Sequence, residues 1–250
     1  MSGTKSFKSH IPNLITSTNL LVGCISISFA FQGNILFASI LIFVAGVLDF
    51  LDGVAARVLH AYSDIGKMLD SLADVVSFGV APSFILFRLL NTCIHPANSG
   101  FNLDSSNWIE YIIPCTAFLI AIFSAFRLAK FTIDDRQSSS FIGLPTPANA
   151  FLIASLPFIF HDNSFLQGLF LQTYVLIPLI FILSILLISD IPMISLKFKS
   201  LAYKDNKSRY LLLISSFILL LFLKFSAIPL IFLIYFIISL FDKPKQQAAS

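Results

Sequence analysis

Four aspartates, Asp49, Asp52, Asp70 and Asp74, stand within DFLDGVAARVLHAYSDIGKMLDSLAD, and the chain on both sides of that stretch is strongly apolar. An Asp at the centre of a membrane helix costs about 2.5–3.5 kcal/mol on insertion scales, so stability does not explain four of them. Read as helices, Asp49, Asp52, Gly53 and Ala56 fall at i, i+3, i+4 and i+7. Gly66, Asp70 and Asp74 fall at i, i+4 and i+8, so each arm carries its acids on one face. Two such faces that meet cannot keep four ionised carboxylates without a counter-charge. All four donors are hard oxygens, which suit Mg²⁺, Mn²⁺ or Ca²⁺ over zinc or copper. Mg²⁺ binds through a few carboxylates together with substrate phosphates, and two such ions can clamp a phosphoryl centre during displacement. Gly53 and Ala56 remove bulk so that a phosphate can approach the backbone. Arg57 is the adjacent cation for phosphate oxygens. Two other readings stay open from the residues alone: simple ion pairing with Arg57, Lys67 and Arg127, and an intramembrane cation or proton pathway.

The elements that position these acids follow from composition. Of 250 residues, 57% are hydrophobic and 12% charged, against about 25% charged in a soluble domain. A span needs about 20 apolar residues. Eight stretches qualify or nearly so: 14–31, 35–57, 69–90, 109–130, 143–160, 169–189, 210–224 and 226–241. The last two are short and separated only by Lys224 and Phe225, which fits a tight hairpin or a re-entrant unit. The apolar runs are continuous rather than alternating, which excludes an outer-membrane barrel. With the N-terminus inside, 14 of the 16 Lys and Arg residues fall on the inner side, and only Arg88 and Lys224 fall outside. The expected fold is therefore an all-α polytopic transmembrane bundle of about eight spans with both termini cytoplasmic. Its parts are a juxtamembrane segment (1–13), a six-span core (14–189), a basic loop (190–209), two C-terminal spans (210–241) and a tail (242–250). The loop 91–108 is polar and free of Lys and Arg, as an external loop should be. Span 2 then runs inward and span 3 outward, which puts the acids at the cytoplasmic rim of an antiparallel pair.

The net charge of +3 gives no reason to expect a nucleic-acid partner. Cys24, Cys93 and Cys115 lack metal-ligand spacing and read as unpaired thiols. His10, His60, His95 and His161 do not cluster. Trp108 reads as an interfacial anchor. The basic residues of 196–209 fit ordinary inside bias, or contact with anionic headgroups.

The order D-x-x-D-G-x-x-A-R-x8-G-x-x-x-D-x-x-x-D, complete here in Asp49, Asp52, Gly53, Ala56, Arg57, Gly66, Asp70 and Asp74, resembles the signature of the CDP-alcohol phosphatidyltransferases. IPNLITSTN (Ile11–Asn19), FRLAKF (Phe126–Phe131) and FIGLPTPANA (Phe141–Ala150) are similar to segments of the membrane-type branch of that family that uses serine as acceptor. The resemblance covers about residues 10–200. Asp190 departs from it, since a basic residue is expected before the Ile191-Pro192 pair. Ser28-Phe29-Ala30 offers a signal-peptidase-like site, but the resemblance of residues 12–19 implies that the first span is retained.

The resemblance implies a six-helix core, often dimeric, that transfers the phosphatidyl group of CDP-diacylglycerol to an alcohol and releases CMP at the cytoplasmic face of the inner membrane. It implies that Asp49, Asp52, Asp70 and Asp74 hold two divalent cations, Mg²⁺ or Mn²⁺, and that Asp74 also takes the proton of the attacking hydroxyl. Gly53, Ala56, Arg57, Ser63 and Gly66 would contact CDP-diacylglycerol, with Pro12, Asn13 and Thr16 closing over it. L-Serine is the expected acceptor; glycerol 3-phosphate or an inositol phosphate is the alternative within the family. Arg127 and Lys130 could bind the serine carboxylate or simply anchor span 4. Pro145 and Pro147 shape the start of span 5 and could place Gly143 and nearby backbone amides beside the acceptor. Asn149 reads as a packed amide, or as a partner for the serine ammonium. A transporter would need acids along a path through the bilayer, whereas these are confined to one rim.

Overall fold

A computed structural model describes residues 3–95, 108–133, 141–193 and 206–241, with side-chain environments from residue 10 onward. Most of loop 91–108, most of the basic loop 190–209 and the tail 242–250 lie outside the described residues. The described chain is helical apart from one two-residue ladder. α1 spans Gly3–Phe31 and α2 Ile35–Val58, and the two lie along each other. Gly33, at φ +90°, makes the turn between them, a conformation glycine adopts without steric cost. Asn34 caps α2 by accepting from the Phe37 amide.

α3 (Asp64–Asp74) passes without interruption into a π-helical turn (Val75–Val80) and then α4 (Ala81–Ile94). α4 is the central helix, with Ile85, Leu86 and Leu90 fully buried. α5 (Trp108–Cys115), a 3₁₀ turn (Thr116–Phe118) and α6 (Leu119–Ile133) form the next long stretch. Trp108 is exposed at its start. β1 (Phe141–Ile142) pairs antiparallel with β2 (Pro192–Met193), and between them run α7 (Thr146–Asp162), α8 (Ser164–Phe170) and α9 (Thr173–Ile188). α10 (Lys207–Leu223) and α11 (Ile228–Phe241) close the chain.

Close packing in this bundle comes from small side chains, as expected where lipid removes the hydrophobic drive between helices. Ala38, Ala45, Ala81, Ala117, Ala150 and Ala154 are buried at helix contacts. Gly79 sits against Ser124, and a Cβ on Gly46 would collide with the Phe151 ring. Phe158 stacks on Phe225 at 4.2 Å, and Phe43 meets Phe151 at 5.4 Å. This aromatic cluster ties the turn between α10 and α11 to α2 and α7.

Among the described residues, five helical stretches are long and apolar enough to cross a membrane: His10–Phe31, Ile35–Val58, Asp64–Ile94, Trp108–Thr132 and Lys207–Ser239. A sixth arises if α8 and α9, bent by 73°, count as one broken span. The fifth expected span, α7, has 17 residues, short of the about 20 that a hydrocarbon core asks for. The expected seventh and eighth form one apolar stretch broken at Lys224, which takes φ +50°, and α10 and α11 pack on each other across that break. The architecture is thus an all-helical membrane bundle with five to six spans by length.

Candidate active site

The acidic arms meet as their spacing requires. α2 and α3 are joined by the short loop Leu59–Ser63, and Ser63 caps α3 by accepting from the Gly66 amide at 3.0 Å. Asp49, Asp70 and Asp74 each bring one carboxylate oxygen to within 4.8 Å of the others. Asp74 also reaches the Asp49 carboxyl within hydrogen-bonding range. Asp52 stands beside this trio, close enough to feel the charge of Asp70 and Asp74. Its Oδ2 accepts a 2.7 Å hydrogen bond from the Thr16 hydroxyl of α1, which also lies 3.0 Å from the Pro12 carbonyl.

The donor set fits a divalent cation. Every candidate ligand is a hard oxygen, and the Oδ1 atoms of Asp70 and Asp74 are buried without any hydrogen-bond partner. Buried polar atoms in native proteins are otherwise nearly always satisfied. Among the described residues no ion pair reaches these acids. Arg57 instead turns its Nε back to the Gly53 carbonyl of its own helix, at 2.9 Å. Among the described residues, simple ion pairing therefore does not account for the four acids.

Three of the residues expected around a nucleotide meet at one point. A Cβ on Gly66 would stand 2.8 Å from Asn13 Oδ1 and 2.9 Å from Ser63 Oγ, so Asn13, Ser63 and Gly66 form one tight junction of α1 with α3. Gly53 differs, because a Cβ there would meet only Arg57 Nη2, at 3.9 Å. Its missing side chain leaves open space beside the acids, next to half-buried Ala56. α3 is two-faced: Ile65, Met68 and Leu72 are exposed on the face opposite Gly66, Asp70 and Asp74. That apolar strip suits lipid contact on the side of α3 turned away from the acids.

The three tentative acceptor residues go to different places. Arg127 is buried on α6 within electrostatic reach of Asp74, and its Nη1 donates to the Thr146 hydroxyl at 3.1 Å. Lys130 pairs with Asp190 at 2.9 Å, so the residue that departs from the family pattern neutralises this lysine and ties the end of α6 to the chain after α9. Gly143 lies at φ +76°, and a Cβ there would stand 2.8 Å from the Ser189 carbonyl and 2.9 Å from that of Leu187. Its amide donates to Ile191. Gly143 is thus fixed by the backbone of α9's end, and its N–H is used within the fold.

Three features escaped the sequence reading. The π turn directly after Asp74 is one; such turns mark many functional sites, and Ser77 and Gly79 are the only sequence hints. The second is buried Asn19, whose carbonyl accepts from Ser77 at 3.1 Å while both its amide atoms lack partners. The third is Thr146, the polar partner of Arg127, which stands between Pro145 and Pro147.

Comparison with known proteins agrees with this geometry. The family model described as CDP-alcohol phosphatidyltransferase matches residues 9–188. The chain is 36% identical over 186 residues to a Helicobacter pylori protein named CDP-diacylglycerol–serine O-phosphatidyltransferase, covering 72% of this chain and 70% of that protein. Proteins of the same name from Bacillus subtilis and Methanocaldococcus jannaschii are 34% identical over 153 residues and 32% identical over 181 residues. They cover 61% and 72% of this chain, and 78% and 72% of their own lengths.

Proposed function

From the premise that this chain belongs to the CDP-alcohol phosphatidyltransferase family, we propose that it transfers the phosphatidyl group of CDP-diacylglycerol to the hydroxyl of L-serine, giving phosphatidylserine and CMP. The observation that carries this reading is the convergence of Asp49, Asp70 and Asp74, with Asp52 held beside them by Thr16. The relatives of the same name support serine as the acceptor.

Asp49, Asp52, Asp70 and Asp74 are the ligands for two divalent cations, Mg²⁺ or Mn²⁺. When bound, these ions supply the positive charge that a pyrophosphate and a departing nucleotide need. The chain's own residues do the rest. Asn13, Ser63 and Gly66 cradle the CDP moiety, with Pro12 and Thr16 above it. Gly53 and Ala56 leave the space that the phosphates fill, and Arg57 swings from its own helix end to a phosphate oxygen. Arg127 holds the serine carboxylate.

Asp74 accepts the proton of the serine hydroxyl as that oxygen attacks the β-phosphorus. A new P–O bond forms to serine, and the bond from the β-phosphorus to the CMP oxygen breaks. A positioned base contributes typically about 10²–10⁴-fold to such a step. Direct displacement is preferred over a covalent aspartyl intermediate, because the carboxylates serve as metal ligands.

The excess of Lys and Arg on one side supports a site at the cytoplasmic face of the inner membrane, with both termini inside. The protein works as a homodimer in this reading, by family resemblance. The test is an acceptor assay in detergent micelles, offering CDP-diacylglycerol with labelled serine, glycerol 3-phosphate or inositol phosphate. Labelled lipid from serine alone is expected. Label from a phosphorylated acceptor instead would move the assignment within the family.

A further inference from the structure

The acceptor side of the site has a wall that comes from outside residues 9–188. α11 is apolar throughout except at Tyr235 and Ser239, which stand at i and i+4 and so share one face. That face is turned inward: Ser239 is buried, and Tyr235 packs against the core. α11 lies against α7 and against β2, the two elements next to the Arg127–Thr146 hydrogen bond and Gly143. Arg127 lies within electrostatic reach of both Asp74 and the Tyr235 phenol. Ser239 hydrogen-bonds that phenol.

This corner holds polar atoms that the fold leaves unused. Arg127 Nε is buried with no partner, although Nη1 is taken by Thr146. Asn149, one turn beyond Thr146 on α7, is fully buried, and neither its Oδ1 nor its Nδ2 has a partner. A buried guanidinium N–H within electrostatic reach of Asp74, and a buried amide one turn beyond its Thr146 partner, are complementary to a small zwitterion. Its carboxylate would accept from Arg127, and its ammonium would donate to Asn149 Oδ1.

We propose that Tyr235 is a specificity-determining residue of the acceptor pocket, where its hydroxyl donates to the carboxylate of the amino-acid acceptor alongside Arg127, and that the C-terminal helix pair is therefore part of the active site. This rests on the reading of serine as acceptor. It explains why a polar-tipped aromatic sits with Ser239 on the one polar face of α11, outside the region that matches the family model.

The test is steady-state kinetics of the purified full-length chain and Tyr235→Phe with CDP-diacylglycerol and serine. Phe keeps the ring and the packing, and the KM for CDP-diacylglycerol reports whether the remainder of the site is intact. The expected result is a serine KM raised about tenfold, the scale of losing one hydrogen bond to a charged group, with the KM for CDP-diacylglycerol within about twofold of wild type on that same scale. Inhibition by 3-hydroxypropionate, which has the carboxylate and hydroxyl but no ammonium, should weaken by a similar factor. An unchanged serine KM, or a parallel rise of both KM values, would overturn the role of Tyr235 and leave the serine reading standing. A wild-type protein that makes no phosphatidylserine would overturn both.

Discussion

The Thr16 hydroxyl of α1 donates to Oδ2 of Asp52 on α2 at 2.7 Å, bridging 36 positions of sequence. This bond fixes one acid of the quartet from outside the two acidic helices. It also joins the segment Pro12–Thr16 to the candidate site, so the first span contributes a side chain to it. Outer-shell partners of metal ligands typically contribute about 10–100-fold to metal affinity or activity. Thr16→Val should therefore raise the Mn²⁺ concentration needed for half-maximal turnover by at least tenfold on that scale, while the protein still extracts and folds normally. A titration of activity against Mn²⁺ checks this, and an unchanged midpoint would separate Thr16 from the metal site.

Asp74→Asn should abolish CMP release and retain binding of CDP-diacylglycerol. The amide keeps the shape of the side chain but cannot accept the serine proton. Equilibrium binding of the nucleotide lipid and a CMP assay, run on the same preparation, separate the two effects. Wild-type turnover in this variant would mean that another group is the base.

Two glycines make opposite predictions. Gly53 faces open space, so Gly53→Ala should leave thermal stability equal or slightly raised, since Ala is favoured over Gly in a helix by about 1 kcal/mol. Its KM for CDP-diacylglycerol should rise, because the added methyl occupies the room meant for phosphate. Gly46 abuts the Phe151 ring, so Gly46→Ala should lower the melting temperature. Melting curves and KM values for the pair test whether the space at Gly53 serves the substrate.

Arg127 and Lys130 should separate. Arg127 is buried beside Asp74, whereas Lys130 is spent on Asp190 at the surface. Exposed pairs of that kind contribute about 0–1 kcal/mol. Lys130→Gln is expected to leave the serine KM nearly unchanged, and Arg127→Gln to raise it strongly at constant KM for CDP-diacylglycerol. Equal effects would return Lys130 to the acceptor pocket.

The quartet and its convergence were legible in sequence because both rest on helical periodicity, which is local. Asp49 and Asp52 share a face, Asp70 and Asp74 share a face, and the short loop between the arms leaves little freedom. Thr16, Asn13 and Ser63 could be placed only through family resemblance, since nothing local says that α1 folds over α3. The partners of Arg127 and Lys130 were hidden for the same reason: Thr146 and Asp190 lie 19 and 60 positions away. Hydropathy located the long apolar stretches and the break at Lys224, but not the bend between α8 and α9. The bend between α8 and α9 depends on the Leu171–Gln172 junction, where Gln172 is extended before α9 begins. The π turn after Asp74 likewise leaves hydropathy untouched. Tyr235 passed as one more aromatic in an apolar run, and only the packing of α11 against α7 and β2 gives it a place.

Removal of divalent ions should stop turnover completely and reversibly. Chelation followed by Mg²⁺ or Mn²⁺ readdition is expected to restore phosphatidylserine formation, and the melting temperature should rise with the added ion, as mass action requires for a ligand of the folded state. Turnover that survives chelation would leave the acids without their assigned task.

The most direct measurement of that assignment is Mn²⁺ binding to the purified protein, read by electron paramagnetic resonance in the presence of CDP-diacylglycerol, for wild type and for Asp49→Asn and Asp70→Asn. The account predicts about two bound ions per wild-type chain, as in two-metal phosphoryl-transfer sites, and loss of binding in either variant. Binding that is absent in wild type, or unchanged when these carboxylates are removed, would contradict it.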